Sequence, residues 1–312
     1  MEYLISIVGP TAIGKSQFAI YLAQNLNGEI VNGDSRQVYR YMDIGTAKLN
    51  PSQRALVPHH LIDMVSPDET SSLGIYQKLA FETIADIQRR GRLPFLVGGS
   101  GLYIWSVIEG WKIPQVPPNS KLRRNLEAKA KREGSYSLYS ELEKKDPLAA
   151  IKIAPENVRR IIRALEIYKT VGEPASQLWQ KEPPPFHSLI IGLTADRGDL
   201  YQRIDLRVEE MIKQGLLKEV KGLVKRGYGL NLPSMSGIGY KQIGRFLQGE
   251  LELPAAIQQI KYETHRLARH QYTWFRLKDE RIHWFDITNS KWREKAKELV
   301  EDFLANLKDE AS

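Results

Sequence analysis

A phosphate-binding motif near the amino terminus constrains the fold of this chain more than any other feature. The segment Gly9-Pro-Thr-Ala-Ile-Gly-Lys-Ser16 has the spacing G-x-x-x-x-G-K-[ST] of a phosphate-binding loop. The apolar run from Tyr3 to Val8 predicts a buried strand before it, and the apolar repeat in 17–26 predicts an amphipathic helix after it. Strand, loop and helix in this order predict an α/β fold of the P-loop type, with a parallel sheet flanked by helices.

Each residue type in the motif has a chemical reason. Glycines let backbone N–H groups turn toward an anion, and the positive end of the following helix faces the same ligand. Lys15 can reach the terminal phosphates, and the Ser16 hydroxyl is a suitable ligand for Mg²⁺. We therefore predict a phosphate site made of Gly9, Pro10, Thr11, Ala12, Ile13, Gly14, Lys15 and Ser16. The motif alone does not identify the phosphate compound.

Composition narrows the class of protein. A chain of 312 residues with 42% hydrophobic content is long enough for two domains, or for one domain with an insertion. It has no apolar run of membrane-spanning length, so we expect a cytoplasmic protein with no membrane association. The absence of cysteine excludes disulfides, thiolate zinc sites and a cysteine nucleophile. A net charge of +8 is typical of proteins with an anionic partner, although basic enzymes without one are common.

A carboxylate follows the second predicted strand. Asp34 comes just after the extended segment 29–32, at the edge of the sheet where the phosphate loop also lies. It can point into a ligand site, or it can simply cap the turn at Gly33. His59 and His60 are adjacent and therefore point apart, so we interpret them as loop or packing residues rather than metal ligands.

The third predicted strand, Leu93 to Val97, ends in glycines. Nucleotide hydrolases with a phosphate loop often have a carboxylate here that helps to orient Mg²⁺, so its absence argues against an ordinary ATPase or GTPase. Gly98, Gly99 and Gly101 can allow a ligand to approach the backbone next to the Ser100 hydroxyl. They can equally form a tight turn into the next helix.

Two proline-rich segments, 113–118 and 182–185, predict the boundaries of an insertion. We predict a core domain over 1–112 and 189–312, with a basic helical insertion over 113–188. Residues 120–170 contain thirteen Lys and Arg against seven Asp and Glu. Such charges are commonly a solvated surface, but the arginines of 159–163 alternate with an apolar ridge that can present them to phosphates.

The remaining sequence predicts mainly helices. A helical repeat over 71–90 places Ile75 and Ile84 on its apolar face, and Gly215 predicts a break in the helical stretch 199–225. Basic and aromatic residues interleave over 255–278. Such a pattern suits contact with unstacked nucleotides. Alternatively, the aromatic residues can form the buried face of a helix and the basic residues its solvent-exposed face.

Several blocks together resemble one family. They are Gly9 to Ser16, Gly33-Asp-Ser-Arg-Gln-Val-Tyr39, Met42-Asp-Ile-Gly-Thr-Ala-Lys48, His59-His-Leu-Ile-Asp63, Gly98-Gly-Ser-Gly-Leu-Tyr103, Arg160-Ile-Ile-Arg-Ala-Leu-Glu166, Gly237-Ile-Gly-Tyr-Lys-Gln242 and Gln271-Tyr-Thr-Trp-Phe-Arg276. In this order they resemble the tRNA dimethylallyltransferases over nearly the whole chain. That resemblance implies transfer of a dimethylallyl group from dimethylallyl diphosphate to N6 of the adenosine on the 3′ side of the anticodon. It also implies Mg²⁺ and no ATP, although the loop has the nucleotide-binding motif.

The resemblance implies roles for individual residues. Asp34 is the general base, and Lys15 and Arg207 offset the charge on the departing diphosphate. Ser16 and Ser100 stand where many relatives have threonine, so both positions keep a hydroxyl. The implied contacts with the tRNA anticodon stem-loop are Asp34, Ser35, Arg36, Gln37, Ser100, Arg123, Arg159, Arg160, Ile161, Ile162, Arg163, Ser236, Gly237, Ile238, Gly239, Tyr240 and Lys241.

Three alternatives share some of these features. An adenylate isopentenyltransferase would prenylate a free nucleotide, a P-loop kinase would phosphorylate a small acceptor, and a non-catalytic module would only bind RNA. The basic insertion favours tRNA over a free nucleotide. We expect a monomer, and the absence of a cysteine-containing zinc finger indicates the bacterial form of the family.

Overall fold

The structure, a computed structural model, describes residues 2–114 and 116–309. It contains two compact units, a core unit of Met1–Ile108 with Pro184–Ser312, and an insertion unit of Glu109–Pro183. The predicted insertion, 113–188, overlaps the second unit but begins and ends a few residues later. Met1, Gln115 and 310–312, which belong to the predicted domain ranges, lie outside the described residues.

A parallel sheet forms the centre of the core unit. Its strands are β1 (Tyr3–Val8), β2 (Gly28–Asn32), β3 (His59–His60), β4 (Leu93–Val97), β5 (His187–Thr194) and β6 (Ile282–Asp286), in the spatial order β3-β2-β4-β1-β5-β6. Ile5 of the central strand β1 pairs with Phe95 of β4 and Leu189 of β5. Burial on both faces explains the nearly continuous apolar runs of these strands. Because the strands are parallel, their carboxyl ends share one edge, where α/β folds bind ligands.

The helices follow the predicted α/β pattern. They are α1 (Lys15–Asn25), α2 (Pro51–Arg54), α3 (Leu73–Arg89), α4 (Gly101–Ile108), α5 (Ser120–Glu133), α6 (Ser135–Lys145), α7 (Pro147–Lys152), α8 (Val158–Val171), α9 (Ala175–Leu178), α10 (Arg197–Gln214), α11 (Leu216–Lys225), α12 (Tyr240–Leu247), α13 (Leu253–Trp274) and α14 (Trp292–Asp309). The break at Gly215 is confirmed, with φ 103° between α10 and α11. The predicted P-loop fold with flanking helices is therefore confirmed.

One predicted helix face is partly wrong. In α3, Ile75 is 52% exposed, whereas Tyr76, Ala80, Ile84 and Ile87 are buried. The buried face is therefore centred on Tyr76, whose hydroxyl donates to the carbonyl of Asn32 at 2.9 Å. The Tyr76 ring, with its buried hydrogen bond, lies on the face of α3 that packs inward, and the neighbouring Ile75 points outward.

The insertion unit consists of α5 to α9 and has a hydrophobic core of its own. Leu126, Leu138, Leu142, Ile161 and Leu165 are among its buried side chains. Since these residues come from α5, α6 and α8, the three longest helices of the unit pack against one another. The predicted helical character of this segment is confirmed.

Candidate active site

The phosphate loop connects β1 to α1 and takes the conformation that its glycines permit. Gly9 has φ 135°, and a Cβ there would lie 2.4 Å from the carbonyl oxygen of Leu193 in β5. Gly14 has φ 100° and begins α1. At Gly9 only glycine combines such backbone angles with so close a neighbour, and at Gly14 the positive φ alone favours glycine. The loop therefore lies at the carboxyl edge of the sheet with the amino end of α1 behind it.

Two cations lie at this loop. The Lys15 ammonium donates to the carbonyls of Gly9 at 2.9 Å and Pro10 at 2.7 Å, and the Arg207 guanidinium donates to the Thr11 hydroxyl at 3.0 Å. Burial lowers the pKa of Lys15 to about 7; the carboxylate of Asp34 opposes this shift and Arg207 adds to it. Burial also lowers the pKa of Arg207, again opposed by Asp34. The three predicted catalytic residues therefore influence one another electrostatically.

The loop opens onto a cavity of about 760 Å³. Its wall includes Thr11, Ala12, Gly14, Lys15, Ser16, Asn32, Asp34, Gln37, Asp43, Ile44, Thr46, Ala47, Lys48, Arg203, Leu206, Arg207 and Gln271. Ile13 of the predicted phosphate site points instead into the core, where it is 1% exposed. This volume is within the range of small-molecule sites.

Asp34 both caps a turn and lines the cavity, the two interpretations that the sequence left open. Its Oδ1 accepts the backbone N–H of Arg36 at 2.8 Å, which caps the turn after β2. The same turn is fixed by Asn32, whose side chain bonds the N–H and the carbonyl of Asp34, both at 3.0 Å. Within 2–114 and 116–309, the Asp34 Oδ2 has no hydrogen-bond partner. The Asp34 carboxylate therefore caps its turn with one oxygen, and the residue also lines the cavity.

The glycines after β4 form the tight turn into α4 that the sequence allowed, and Gly98 also lines the cavity. A Cβ on Gly98 would lie 2.1 Å from the carbonyl oxygen of Gly33, and one on Gly101 would lie 2.2 Å from the Trp274 ring. The N–H of Gly33 also donates to the carbonyl of Val97 at 2.7 Å. Gly98 therefore lets the turn after β4 pack against the turn after β2, which carries Asp34, while Gly101 lets α4 pack against Trp274 of α13.

Gln271 is a functional residue whose role the sequence did not predict. From α13, its side-chain oxygen accepts the backbone N–H of Thr11 at 2.8 Å, and its side-chain nitrogen donates to the carbonyl of Gly99 at 3.0 Å. It therefore connects the phosphate loop to the turn after β4. The only signal in the sequence was its place at the start of one of the recognised blocks.

The segment 34–37 makes contacts with two other predicted RNA-binding segments. The Ser35 N–H donates to the Ser100 hydroxyl at 2.9 Å. The guanidinium of Arg36 donates to the carbonyls of Pro233 at 3.2 Å and Ser234 at 3.3 Å. The structure therefore brings 34–37, Ser100 and the segment around Ser236 together at one rim of the core unit.

Within 236–241, side chains differ in their exposure. Ser236 and Lys241 are exposed, while Gly237 and Gly239 are buried and Ile238 is half-buried. Tyr240 is 1% exposed, and its hydroxyl donates to Glu219 at 2.6 Å. The Tyr240 side chain therefore packs inside the protein, and the exposed Ser236 and Lys241 are the side chains of this segment that can reach RNA directly.

The predicted RNA-binding residues of the insertion unit divide in the same way. Arg159 and Arg160 are exposed, whereas Ile161 and Ile162 belong to the hydrophobic core. Arg123 and Arg163 both bind the Glu166 carboxylate, at 2.7 and 2.6 Å. Burial acts to raise the pKa of Glu166, but the bonds from Arg123, the Asn119 N–H and Arg163 bring it down to about 2. Arg123 and Arg163 therefore neutralise a buried carboxylate within their own unit.

The aromatic residues of α13 and the segment after it mostly belong to the core. Phe275 is buried 6.1 Å from the Trp105 ring, and the hydroxyls of Tyr272 and Thr194 lie 2.8 Å apart. Tyr262, in contrast, is 61% exposed. The core interpretation therefore holds for Phe275 and the half-buried Tyr272, whereas Tyr262 is an exposed ring that can stack on a base.

Oxygen donors suited to Mg²⁺ lie at the phosphate loop. The Ser16 hydroxyl and the Asp34 carboxylate line the same cavity. No cluster of three or more His, Cys, Asp or Glu residues that could hold a metal occurs in the described part of the chain.

The adjacent histidines form the edge strand β3 rather than the loop that was one of the two sequence interpretations, and both are half-buried. His60 Nε2 lies 2.7 Å from Glu29, and His59 Nδ1 lies 2.8 Å from the carbonyl of Val57.

In the described residues, no helix has both the length and the apolar character needed to cross a membrane.

Comparison with known sequences places these residues in a family. A sequence model of the family described as IPP transferase matches residues 37–278. A tRNA dimethylallyltransferase of Roseiflexus sp. (strain RS-1) is 55% identical over 273 residues, which are 88% of this chain and 90% of that protein. The enzyme of the same description from Thermomicrobium roseum is 48% identical over 98% of this chain and 93% of its own. These two alignments span most or nearly all of the chain.

Solved structures give the same result. The tRNA isopentenylpyrophosphate transferase of Bacillus halodurans aligns with a TM-score of 0.71 and 42% identity, covering 98% of this chain and 96% of its own. A eukaryotic dimethylallyltransferase acting on tRNA aligns with a TM-score of 0.85 and 28% identity, over 98% of this chain and 80% of that one. The fold and the order of its elements are therefore shared with both structures.

Proposed function

The chain belongs to the IPP transferase family, whose similar curated members are tRNA dimethylallyltransferases, and we propose that it transfers a dimethylallyl group to tRNA. The donor is dimethylallyl diphosphate, and the acceptor is N6 of the adenosine next to the anticodon on its 3′ side. Diphosphate is the second product.

One observation carries this proposal. Asp34, Lys15 and Arg207 line one cavity, so a carboxylate lies in the same site as the cations of the phosphate loop. A hydrolase needs the phosphate cations but no acceptor base, and a kinase would use such a carboxylate on an acceptor hydroxyl, so family membership favours prenyl transfer over these two reactions. A group transfer to a weakly nucleophilic amine needs both.

The proposed chemistry follows from these groups. The adenine N6 forms a bond to C1 of the dimethylallyl group while the bond between C1 and the diphosphate oxygen breaks. Asp34 accepts the proton that N6 loses, which is the role of a general base. The backbone N–H groups of the phosphate loop, Lys15 and Arg207 stabilise the negative charge that develops on the departing diphosphate.

Mg²⁺ is the proposed cofactor. The Ser16 hydroxyl would hold it at the start of α1, beside the diphosphate. When bound, the ion supplies further positive charge for the phosphate oxygens. ATP has no role in the proposal, and the glycines after β4 agree with this because no carboxylate for hydrolysis stands there.

The adenosine has to leave its stack to enter the cavity. Extrusion of a base costs a few kcal/mol at most and is least costly in a loop that is already single-stranded, such as an anticodon loop. The rim formed by 34–37, Ser100 and Ser236 is the proposed contact for this loop. Lys241 and, in the insertion unit, Arg159 and Arg160 are proposed to bind phosphates.

We further propose that the enzyme acts as a monomer in the cytoplasm. Sedimentation of the purified protein would test the oligomeric state.

The deciding experiment supplies labelled dimethylallyl diphosphate and Mg²⁺ with either unmodified tRNA or AMP, without ATP. We expect label on tRNA alone. Label on AMP alone would support a free-nucleotide prenyltransferase, and an absolute requirement for ATP would support a kinase. Binding of tRNA without transfer under these conditions would identify an RNA-binding module.

A further inference from the structure

We infer that Glu219 is a positioning residue for the proposed transfer, which holds one wall of the cavity in place without lining it. This wall is the segment 43–48, called here the cavity loop. The inference rests on the proposed function for its reaction, but its geometry is independent of that function. The cavity loop and the segment 237–242 were both among the recognised sequence blocks, and neither had an explained link to the other.

The Glu219 carboxylate fills an anion site made by the backbone of the cavity loop. From α11, its Oε2 accepts the N–H groups of Asp43 at 3.0 Å and Ile44 at 2.7 Å, and its Oε1 accepts that of Gly45 at 3.2 Å. Successive backbone N–H groups that converge in this way form a concave site for an anion. Hydrogen bonds to a charged acceptor are also stronger than neutral ones.

Tyr240 completes the arrangement from the other side. Its hydroxyl donates to Glu219 Oε1 at 2.6 Å, and its ring packs so closely on Gly45 that a Cβ there would lie 2.5 Å from Cε2. Burial raises the pKa of Tyr240, and the Glu219 charge raises it further, so the phenol remains a donor at neutral pH. The cavity loop and the 237–242 segment therefore meet at one carboxylate.

The cavity loop in turn supports residues next to the proposed base. Gln37 donates to the carbonyls of Thr46 at 3.1 Å and Ala47 at 3.4 Å. Lys48 donates to the carbonyl of Tyr39 at 2.6 Å and to Asp63 at 2.6 Å. The bonds of Gln37 and the bond from Lys48 to Tyr39 connect the loop to the chain that runs on from Asp34. A displaced cavity loop would therefore move the acceptor side of the cavity.

The phosphate side does not depend on these contacts. Thr11 is bonded by Gln271 and Arg207, and Lys15 by the carbonyls of Gly9 and Pro10. Neither Glu219 nor Tyr240 lines the cavity. Loss of the Glu219 carboxylate should therefore disturb the position of the acceptor while leaving the diphosphate site intact.

The test compares Glu219→Ala, Glu219→Gln and Tyr240→Phe with the parent enzyme, in transfer to tRNA. We expect Glu219→Ala to lower kcat/KM on the order of 10²-fold, the typical effect of misplacing a reacting group by about 1 Å. Glu219→Gln should lower kcat/KM nearly as much, because the amide NH₂ group is a donor and would face backbone N–H groups that are donors too. Tyr240→Phe keeps the three backbone bonds and should lose about tenfold or less, the value of one hydrogen bond.

The matched control is Glu209→Gln, which removes a carboxylate from the neighbouring helix α10 and breaks its pair with Lys261 at 2.7 Å. We expect parent-like transfer from this control, because Glu209 does not contact the cavity loop. Inhibition by inorganic diphosphate should stay within about twofold of the parent value in all variants. Amide hydrogen exchange at 43–45 should be faster in Glu219→Ala, and this readout needs no activity.

Two results would overturn the inference. One is a parent-like kcat/KM in Glu219→Ala together with unchanged amide exchange at 43–45. The other is a lower Tm and a smaller active fraction with a normal rate per active molecule, which would make Glu219 only a stabilising residue. Failure of the parent enzyme to modify tRNA would reject the proposed function instead, and the exchange measurement would still decide the placement of the loop.

Discussion

In the proposed reaction a diphosphate binds beside Lys15 and changes the surroundings of its ammonium group. Without a ligand, burial lowers its pKa to about 7, so near that pH only half of the molecules carry the charge. A nearby phosphate favours the charged form and raises the pKa. The free energy of diphosphate binding therefore includes protonation of this lysine whenever the pH is above about 7.

We expect diphosphate binding to take up a proton at pH 7.5 to 8 and to weaken as the pH rises, as follows from a pKa that is about 7 in the free enzyme and higher in the complex. The uptake should disappear below about pH 6, where both states are protonated. Calorimetry in buffers with different heats of ionisation measures the number of protons. Lys15→Arg stays charged at every pH in this range, so proton uptake in this variant reports the ligand's own ionisation. Subtracting it from the parent value leaves the contribution of Lys15.

Asp34 provides the second prediction at this scale. Asp34→Asn keeps an oxygen that can accept the Arg36 N–H, whose present bond is 2.8 Å, but it cannot accept a proton from the amine. We expect single-turnover transfer to slow by about 10² to 10⁴-fold, the usual contribution of a general base, with tRNA affinity changed little. Asp34→Asn that retained the parent rate would remove the base from the proposed chemistry.

At the scale of the elements, the site depends on the close approach of two turns. Gly98 after β4 and Gly33 after β2 pack so tightly that a single added carbon would lie 2.1 Å from a carbonyl oxygen. Backbone cannot yield at such a distance without moving one turn away from the other. The turn that carries Asp34 would then shift relative to the phosphate loop.

We therefore expect Gly98→Ala to lower both Tm and kcat, with a stability loss of about 1–3 kcal/mol, the range of overpacking in a filled core. Thermal unfolding and a rate per active molecule measure the two effects separately. The control is Gly222→Ala in α11, where a Cβ would meet nothing within 4 Å. That substitution should be neutral or slightly stabilising, since alanine favours a helix. Equal behaviour of the two variants would mean that the turns are free to move apart.

The elements also show what sequence patterns can reveal. Buried strands such as β1 and β4 and helices such as α3 were predicted because their apolar periodicity is local. The two-residue strand β3 has no period to detect. The roles of Gln271 and Glu219 depend on hydrogen bonds to residues more than 170 positions away, and no local pattern encodes them. Asp34 was predicted because position after a strand and the resemblance both pointed to it.

At the scale of the whole molecule, positive charge is concentrated rather than spread. Residues 120–170 carry thirteen Lys and Arg against seven Asp and Glu, an excess of six within a net charge of +8. Part of that charge is internal, since Arg123 and Arg163 neutralise the buried Glu166. The exposed Arg159 and Arg160 remain available for an external anion.

We expect tRNA affinity to fall steeply with salt, and a variant with both Arg159→Ala and Arg160→Ala to have a salt slope smaller by about one to two units. Filter binding across a salt series gives the slope. A variant with Arg293→Ala is the control, because Arg293 packs over the Trp292 ring on α14 of the core unit. A slope that is unchanged in the double variant would place the phosphate contacts elsewhere.

The bond between Gln271 and Thr11 has a consequence for the order of synthesis. The phosphate loop is synthesised before the side chain that binds its Thr11 N–H, which lies 260 positions later. Strand β5, which flanks β1, is also made late, at His187–Thr194. Since chains emerge from the amino terminus, the nascent protein displays its phosphate motif long before that motif has its final partners. The proposed diphosphate site therefore gains these partners only after β5 and α13 have been synthesised.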